Sequence, residues 1–395
     1  MHASHAPIPA VGYCTNVHAG TTFDETLANL RRHALAVKRQ VRPDAPMGVG
    51  LWLSAEAARG IISADRIDEL RQFLDTHGLY VFTLNGFPYG DFHAGRVKHR
   101  VYEPSWADRK RLDYTLDLVR ILTALLPEGG EGGISTLPIG WPSMLDAAAT
   151  RAARDHLLEL VHQLARAELD SGKLIHVDLE PEPGCVMSTS DQAVAFFREH
   201  LLGHADDLSV KAYLRICHDI CHAAVMFEDQ AEALGRYAQA GLGVGKVQVS
   251  SAVRVAFDEL ADEQREQAVA ALRRFAEDRY LHQTCVRDAD GKMRFFEDLP
   301  DALSAHPPRG EWWGQWRGEW RVHFHVPIYL DGFGHLATTR DAIDECLPVA
   351  QRLGVRAFEA ETYAWPVLPA ELRVDRLADG IARELVWLHE RMGTP

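Results

Sequence analysis

Residues 174–184 read LIHVDLEPEPG. Residues 174–179 have the apolar, β-branched character of a buried strand, and the proline- and glycine-rich end stops that strand. Asp178 and Glu180 have the same parity along it, so their side chains point to the same face. The segment therefore predicts a strand that ends on a carboxylate.

Segments of the same kind recur on both sides, separated by longer amphipathic segments of helical period. The predicted strands lie at residues 11–14, 48–53, 80–85, 134–139, 174–179, 213–217, 246–250 and 356–361. The main predicted helices lie at residues 22–40, 55–77, 108–126, 145–169, 190–200 and 338–353. Eight strands alternating with helices predict an α/β fold, a (β/α)8 TIM barrel.

The chain of 395 residues is longer than the roughly 250 of a typical barrel, which predicts an insertion. We place it between strands 7 and 8, at about residues 255–320 of a single domain covering 1–395. It contains a charged helix at 259–278, a hairpin through Asp288–Gly291, and a tryptophan cluster. The cluster comprises Trp312, Trp313, Trp316 and Trp320. It would serve as a lid over a ligand or, as is commoner for aromatic residues, as packing.

Charge and cysteine content limit the partners. The formal net charge of −14 opposes binding to nucleic acid and to anionic membranes. The six cysteines show neither paired CxxC spacing nor the density of a disulfide scaffold, which favours a reducing compartment. No export signal and no apolar stretch of about 18 residues stands out. The sequence therefore predicts a cytoplasmic protein without a membrane span.

Functional groups in TIM barrels come from the carboxyl ends of the strands. Glu180 meets this rule, and so does Glu361 in the segment EAETY, where Glu359 shares its parity. Carboxylates that point into a barrel are costly unless they are paired or bind a cation. Either glutamate alone could be a solvated strand end, but the two together favour a site. His323 and His325 share parity in the segment RVHFHV.

The segment CHDICH, residues 217–222, is the most specific in the chain. If a helix begins near Asp219, then Asp219 and His222 lie on one face within reach of a shared metal. His218 and His222, four residues apart, form an alternative pair. The segment is unlike a helical HExxH zinc motif, because a strand leads into it.

Three further strand ends carry amide or imidazole side chains. Gln248 follows a glycine-rich segment, residues 241–246, that precedes its strand and is therefore a connection and not a phosphate loop. Its amide oxygen could bind a hard cation or make a structural hydrogen bond. Asn16, His18 and Asn85 follow the first and third strands, where they would hold substrate hydroxyls or cap loops.

In order, the segments LEPEPG, CHDICH, VQVSS, VHFHV and EAETY resemble the strand ends of the xylose-isomerase-like barrel superfamily, which includes sugar isomerases, epimerases and endonuclease IV-type nucleases. The resemblance implies bound divalent metal. Its implied ligands are Glu180, Asp219, His222, Gln248 and Glu361. His323 and His325 match the Asp-x-His pair of the trinuclear nucleases only loosely.

Other segments, among them GYCTNVHAG, ISTLPIGW, YLHQ and EAETYAWPVLP, resemble the EboE-type metabolite-traffic proteins of the same superfamily. These bacterial proteins are encoded in a small operon with partner proteins. The resemblance implies a role in making or moving a small secreted metabolite, and it brings no settled reaction.

Oxygen and imidazole ligands suit Mn²⁺, Zn²⁺, Fe²⁺ or Mg²⁺. We expect a sugar- or cyclitol-type isomerase or epimerase acting on a small polyol or sugar-like metabolite, with Glu180 and Glu361 exchanging a proton at carbon. A metal-dependent hydrolase of a small phospho- or ester substrate is one alternative. A non-catalytic metabolite carrier or scaffold is the other.

Overall fold

A computed structural model describes residues 9–93, 95–305 and 316–394. The strands in chain order are β1 (Ala10–Tyr13), β2 (Met47–Trp52), β3 (Leu79–Asn85), β4 (Glu131–Thr136), β5 (Leu174–Leu179), β6 (Leu214–Asp219), β7 (Val244–Val249), β8 (Val253–Ala256), β9 (Thr284–Arg287), β10 (Met293–Phe296), β11 (Glu319–Val322), β12 (Gly332–Phe333), β13 (Leu336–Thr338) and β14 (Ala357–Ala360). Strands β1 to β7 and β14 form one parallel sheet in the order β1-β14-β7-β6-β5-β4-β3-β2. All eight predicted barrel strands are confirmed.

The two ends of this sheet meet, so it forms a barrel. A parallel bridge between Cys14 and Gly50 joins β1 to β2. Gly50 is required here because a Cβ atom at this position would overlap the Glu359 carboxylate, which points into the barrel from β14. The absence of a side chain at Gly50 thus leaves room in the barrel interior for the Glu359 carboxylate.

Helices surround the barrel, as predicted. They are α1 (Phe23–Asn29), α2 (Leu35–Val41), α3 (Ala55–Ser63), α4 (Ile67–His77), α5 (Arg109–Leu125), α6 (Ala147–Ser171), α7 (Ser190–Phe196), α8 (Asp207–Tyr213), α9 (Ile220–Val225), α10 (Gln230–Gln239), α11 (Asp262–Leu272), α12 (Leu299–Ser304), α13 (Arg340–Arg352) and α14 (Leu377–Met392). The helix predicted at 55–77 is broken in two, because residues 64–66 leave the helical path and Asp65 has a positive φ of 53°. Among the described residues, no helix is both long and apolar enough to cross a membrane.

The insertion forms a second, antiparallel sheet. Strands β8 to β13 pair in the order β10-β9-β11-β8-β13-β12, and the predicted hairpin is the turn between β9 and β10. This sheet runs from Val253 to Thr338, so it continues well past residue 320. Trp316 and Trp320 pack on Phe257, with ring centroids 5.9 Å and 5.6 Å away, while Trp312 and Trp313 lie outside the described residues.

Inside the barrel, one layer of polar side chains contains a buried ion pair. We call Asp178, Lys246 and Glu359 the lower layer, because each lies two residues before a side chain of the candidate site. The ammonium of Lys246 is fully buried and donates to Glu359 Oε2 at 2.6 Å and to Ser135 Oγ at 2.9 Å. Asp178 Oδ1 lies 2.6 Å from the Nδ1 atom of His176.

Candidate metal centre

Three carboxylates meet at the carboxyl end of the barrel. Asp219 ends β6, while Glu180 and Glu361 directly follow β5 and β14. Each offers a ligand oxygen within 4.8 Å of those of the other two, and all three residues are at most 5% exposed. The sequence reasoning that selected strand-end acids thus identifies residues that the fold brings together.

The pKa values show how poorly these groups tolerate shared negative charge. Burial, followed by the charges of Glu361 and Asp219, raises the pKa of Glu180 well above its usual value. Burial and the charges of Asp219 and Glu359 raise the pKa of Glu361 to about 8. Burial also acts to raise the pKa of Asp219, but His222, His325 and hydrogen bonds outweigh it, and the pKa is lowered. A divalent cation would remove this repulsion.

The segment CHDICH places Asp219 and His222 as predicted. Asp219 is the N-cap of α9, and its Oδ1 atom accepts from the backbone N–H of His222 at 2.9 Å and from Ser250 Oγ at 2.8 Å. The Oδ2 atom is left without a partner and lies 3.9 Å from His325 Nε2. His218 instead contacts Gln230 Oε1 at 2.8 Å, so the alternative pair of His218 and His222 does not form.

Each histidine of the site is held by an acceptor at Nδ1. These acceptors are the carbonyl of Pro181 for His222, the side-chain oxygen of Gln283 for His323 and the carbonyl of Glu361 for His325, at 3.0, 2.7 and 2.7 Å. Because these oxygens only accept, each Nδ1 carries a proton, and a ring in its neutral form has its lone pair on Nε2. Metal-binding histidines are commonly oriented in this way.

Two of these lone pairs face each other. The Nε2 atoms of His222 and His323 are only 3.2 Å apart. Burial, followed by the charges of His222 and His325, lowers the pKa of His323 well below its usual value, so a proton is a poor bridge between the rings. A cation shared by the two nitrogens would satisfy both. His323 and His325 follow β11 in an irregular segment, not within a strand.

Gln248 lies on β7 opposite Asp219 and Glu359 in the strand register. It is fully buried, and neither its amide oxygen nor its amide nitrogen has a hydrogen-bond partner among the described residues. A structural hydrogen-bonding role leaves these atoms unexplained, because buried amides are normally paired. An unpartnered amide oxygen beside the carboxylates is suited to binding a metal or a substrate.

Two residues of the site lay outside the sequence prediction. Glu182 groups with His222 and His323 within 4.8 Å and has an unpartnered Oε2 atom. Gln283 donates from its amide nitrogen to Glu182 Oε1 at 3.0 Å while its oxygen holds His323. In the sequence, Glu182 belongs to a strand-breaking PEPG segment, and only its two-residue spacing from Glu180 hinted at a role.

The three predicted substrate-binding residues have different positions. Asn16 and Asn85 line the cavity above the carboxylates, and both donate to Glu361 Oε1, at 2.7 and 3.1 Å. They therefore orient Glu361. His18 lies to one side, 3.1 Å from the Tyr13 hydroxyl and stacked on His33 with ring centroids 4.4 Å apart.

The donor set fits a divalent cation. Besides Gln248, unpartnered buried atoms at the site include Glu180 Oε2, Asp219 Oδ2 and His325 Nε2, which are oxygen and imidazole donors. Such donors suit Mg²⁺, Mn²⁺, Fe²⁺ or Zn²⁺. Among the described residues, four overlapping groups could hold a metal. We call Glu180, Asp219 and Glu361 the carboxylate group, and Glu182, His222 and His323 the histidine group. The other two groups combine His325 with Asp219 and His222, or with Cys221 and His323.

Several solved structures are similar to this chain. A xylose isomerase-like TIM barrel protein from Mycobacterium smegmatis, solved in complex with magnesium, aligns over 98% of both chains with 12% identity and a TM-score of 0.52. A D-tagatose 3-epimerase-like protein aligns over 97% of both chains, with 13% identity and a TM-score of 0.48. A 3-keto-D-glucoside 4-epimerase from E. coli covers 97% of this chain and 99% of its own, with 12% identity and a TM-score of 0.45.

The first of these structures confirms the predicted xylose isomerase-like (β/α)8 fold. Comparison with protein-family models gives no match. Comparison with curated proteins gives none either.

Proposed function

We propose that the protein is a metal-dependent isomerase or epimerase of a sugar- or cyclitol-type substrate. One observation carries the proposal: three buried carboxylates converge at the barrel end, and among the described residues none of them pairs with a lysine or arginine, whereas Glu359 of the lower layer pairs with Lys246. Buried charge of one sign is unfavourable unless a cation compensates it. The magnesium complex of the Mycobacterium smegmatis barrel is consistent with such a cation.

Glu180 and Glu361 would move the proton. A cation at the carboxylate group supplies electrostatic stabilisation of negative charge that develops on substrate oxygen. One carboxylate removes a proton from the adjacent carbon, and the other carboxyl returns a proton to it. Asn16 and Asn85 hold Glu361 through Oε1, which leaves Oε2 for this exchange.

Metal binding is the first test. Protein stripped with a chelator is titrated calorimetrically with Mn²⁺ and with Zn²⁺. Asp219→Asn should weaken binding by more than about 100-fold, since even partners of metal ligands contribute about 10- to 100-fold. The matched control is Asp178→Asn, a change to another buried aspartate in the lower layer, which should leave metal affinity unchanged. Equal losses in both variants would contradict this placement.

Proton exchange is the second test. The metal-loaded protein is incubated in D₂O with a panel of sugars and cyclitols, and deuterium at carbon is measured by mass spectrometry. Glu180→Gln and Glu361→Gln should each reduce incorporation by about 100-fold or more. If metal binds but no compound in a broad panel exchanges, the carrier alternative is favoured.

A metal-dependent hydrolase remains a second candidate because of the histidine group. Its donors adjoin the carboxylate group, and paired metals about 3.5–4 Å apart are typical of hydrolytic centres. Metal stoichiometry separates the two functions. One tightly bound metal per chain supports the isomerase, whereas two bound metals together with phosphate- or carboxyl-ester cleavage support the hydrolase.

The resemblance to EboE-type proteins supports a wider role for the same site. We propose that its substrate is an intermediate of a small secreted metabolite, handled with operon-encoded partner proteins in the cytoplasm. We treat the barrel and its insertion as one domain, because the insertion supplies His323 and His325 to the barrel site.

A further inference from the structure

The cavity above the carboxylates has walls unlike its floor. Most of its wall residues are apolar or aromatic, among them Phe87, Phe92, Val101, Tyr280, Leu281 and Tyr363. Phe92, Tyr280 and Tyr363 contact one another, with ring centroids 4.9 to 5.3 Å apart. Tyr363 continues to the floor, where its ring lies 4.7 Å from that of His325. An aromatic surface therefore starts beside the metal ligands and leads away from them.

The polar groups in these walls are already engaged. Lys98 donates to Asp298 at 2.6 Å, and the Tyr102 hydroxyl donates to Glu182 at 2.8 Å. The Tyr280 hydroxyl lies 3.3 Å from His93 Nδ1. The Tyr363 hydroxyl makes the weakest of these contacts, 3.5 Å from His323 Nε2, and would lose it if that nitrogen binds a metal. Among the described wall residues, little hydrogen-bonding capacity is left for a ligand.

The floor of the cavity, unlike its walls, has polar atoms without hydrogen-bond partners. Of the side chains that line the cavity, those with unpartnered buried atoms are Asn16, Glu180, Glu182 and His325. A ligand can thus make polar contacts with the floor through one end, whereas hydroxyls along the walls would lose water without gaining partners. Each such unpaired hydroxyl weakens binding.

From this contrast we propose that the substrate is amphiphilic: a metal-chelating pair of oxygens at one end and an apolar, preferably aromatic, body beside it. The proposal rests on the proposed function, because it takes the floor to be the metal centre. It narrows the substrate class from free polyols to sugar- or cyclitol-like compounds that carry an aryl or similarly apolar substituent.

Three hydroxamates test the proposal because they share one chelating head and differ in body. Benzohydroxamate has an aromatic body, acetohydroxamate a methyl group and gluconohydroxamate a chain of hydroxyls. Titrated calorimetrically into Zn²⁺-loaded protein, benzohydroxamate should bind roughly tenfold or more tighter than acetohydroxamate, since burying a ring removes apolar surface from water. Gluconohydroxamate should bind no tighter than acetohydroxamate.

Phe92→Ala should reduce the advantage of benzohydroxamate while leaving acetohydroxamate affinity unchanged. Phe73→Ala is the matched control, since Phe73 is also buried but belongs to α4 and packs on His77. If Phe92→Ala fails to fold, Phe92→Leu or the ranking on the unaltered protein decides.

Tightest binding of gluconohydroxamate, equal binding of all three, or binding that does not require Zn²⁺ would overturn the proposal. Failure of the protein to bind metal would instead overturn the proposed function, so the two failures are distinguishable.

Discussion

Two layers of buried carboxylates lie two residues apart along the same barrel strands, and they are compensated differently. In the lower layer, Glu359 has Lys246 at 2.6 Å and Asp178 has His176 at 2.6 Å. In the upper layer, ligand oxygens of Glu180, Glu361 and Asp219 lie within 4.8 Å of one another. The charge of Glu359 is therefore balanced by Lys246, whereas among the described residues the upper carboxylates have no lysine or arginine partner. The position of the cation site follows from this difference.

Breaking the lower pair should have the largest effect. Lys246→Met leaves Glu359 buried without its cation and should lower the free energy of unfolding by about 3–5 kcal/mol. Urea denaturation of the metal-free protein measures the change. The double variant Lys246→Met with Glu359→Gln removes both charges and should recover much of the loss.

The upper layer should respond in the opposite direction. Glu361→Gln replaces a carboxyl whose ionised form is disfavoured by burial and by the charges of Asp219 and Glu359, while its side-chain oxygen still accepts from Asn16 and Asn85. Stability of the metal-free variant should stay equal or rise. A large loss in this variant, similar to that of Lys246→Met, would remove the distinction between the layers.

Glu384 is a third kind of buried carboxyl group, because its hydrogen-bond donors are all neutral. This buried side chain on α14 accepts from the Ile328 N–H, Thr362 Oγ1 and Trp365 Nε1. Burial, against these hydrogen bonds, raises its pKa to about 7. The folded protein then holds the proton more tightly than the unfolded chain, so the stabilising contribution of protonation is full below about pH 4.5 and is lost as pH rises through about 7.

Between pH 5.5 and pH 8, the unaltered protein should therefore lose about 2 kcal/mol relative to Glu384→Gln, which does not titrate. Urea denaturation of both proteins at the two pH values gives this difference and cancels the titration of all other groups. An identical pH dependence in the two proteins would show that Glu384 stays ionised throughout.

Strand parity in the sequence predicted much of this arrangement. The pairs Asp178/Glu180 and Glu359/Glu361 were identified as inward-pointing because side chains alternate along a strand. Parity does not show which carboxylate of each pair has a basic partner, because Lys246 contacts Glu359 from a strand 113 residues away in the sequence. The sequence signal for this pairing is Lys246 itself. It lies two residues before Gln248 on the same strand, so its side chain also points into the barrel.

The histidine group was harder to predict. His323 follows the short strand β11 of the insertion, and the chain folds so that its ring meets His222 across 101 residues. No periodicity encodes a contact between an irregular segment and a helix start. Glu182 and Gln283 join the group only through this tertiary contact, which explains why the local pattern left them out.

The smallest predicted loss, a loss of metal affinity, tests whether a residue of the insertion affects metal binding at the barrel site. Gln283 comes from the insertion, accepts a hydrogen bond from His323 Nδ1 and donates to Glu182, Tyr102 and Pro183. Gln283→Leu removes these bonds at similar volume, so the His323 ring should lose its fixed tautomer. Metal affinity at the histidine group should fall by about 10-fold, the lower end of the effect of such partners. Titration by calorimetry measures it, and Gln283→Glu should restore part of the loss because a carboxylate still accepts from Nδ1. An unchanged affinity in Gln283→Leu would mean that the barrel carboxylates bind the metal without help from the insertion.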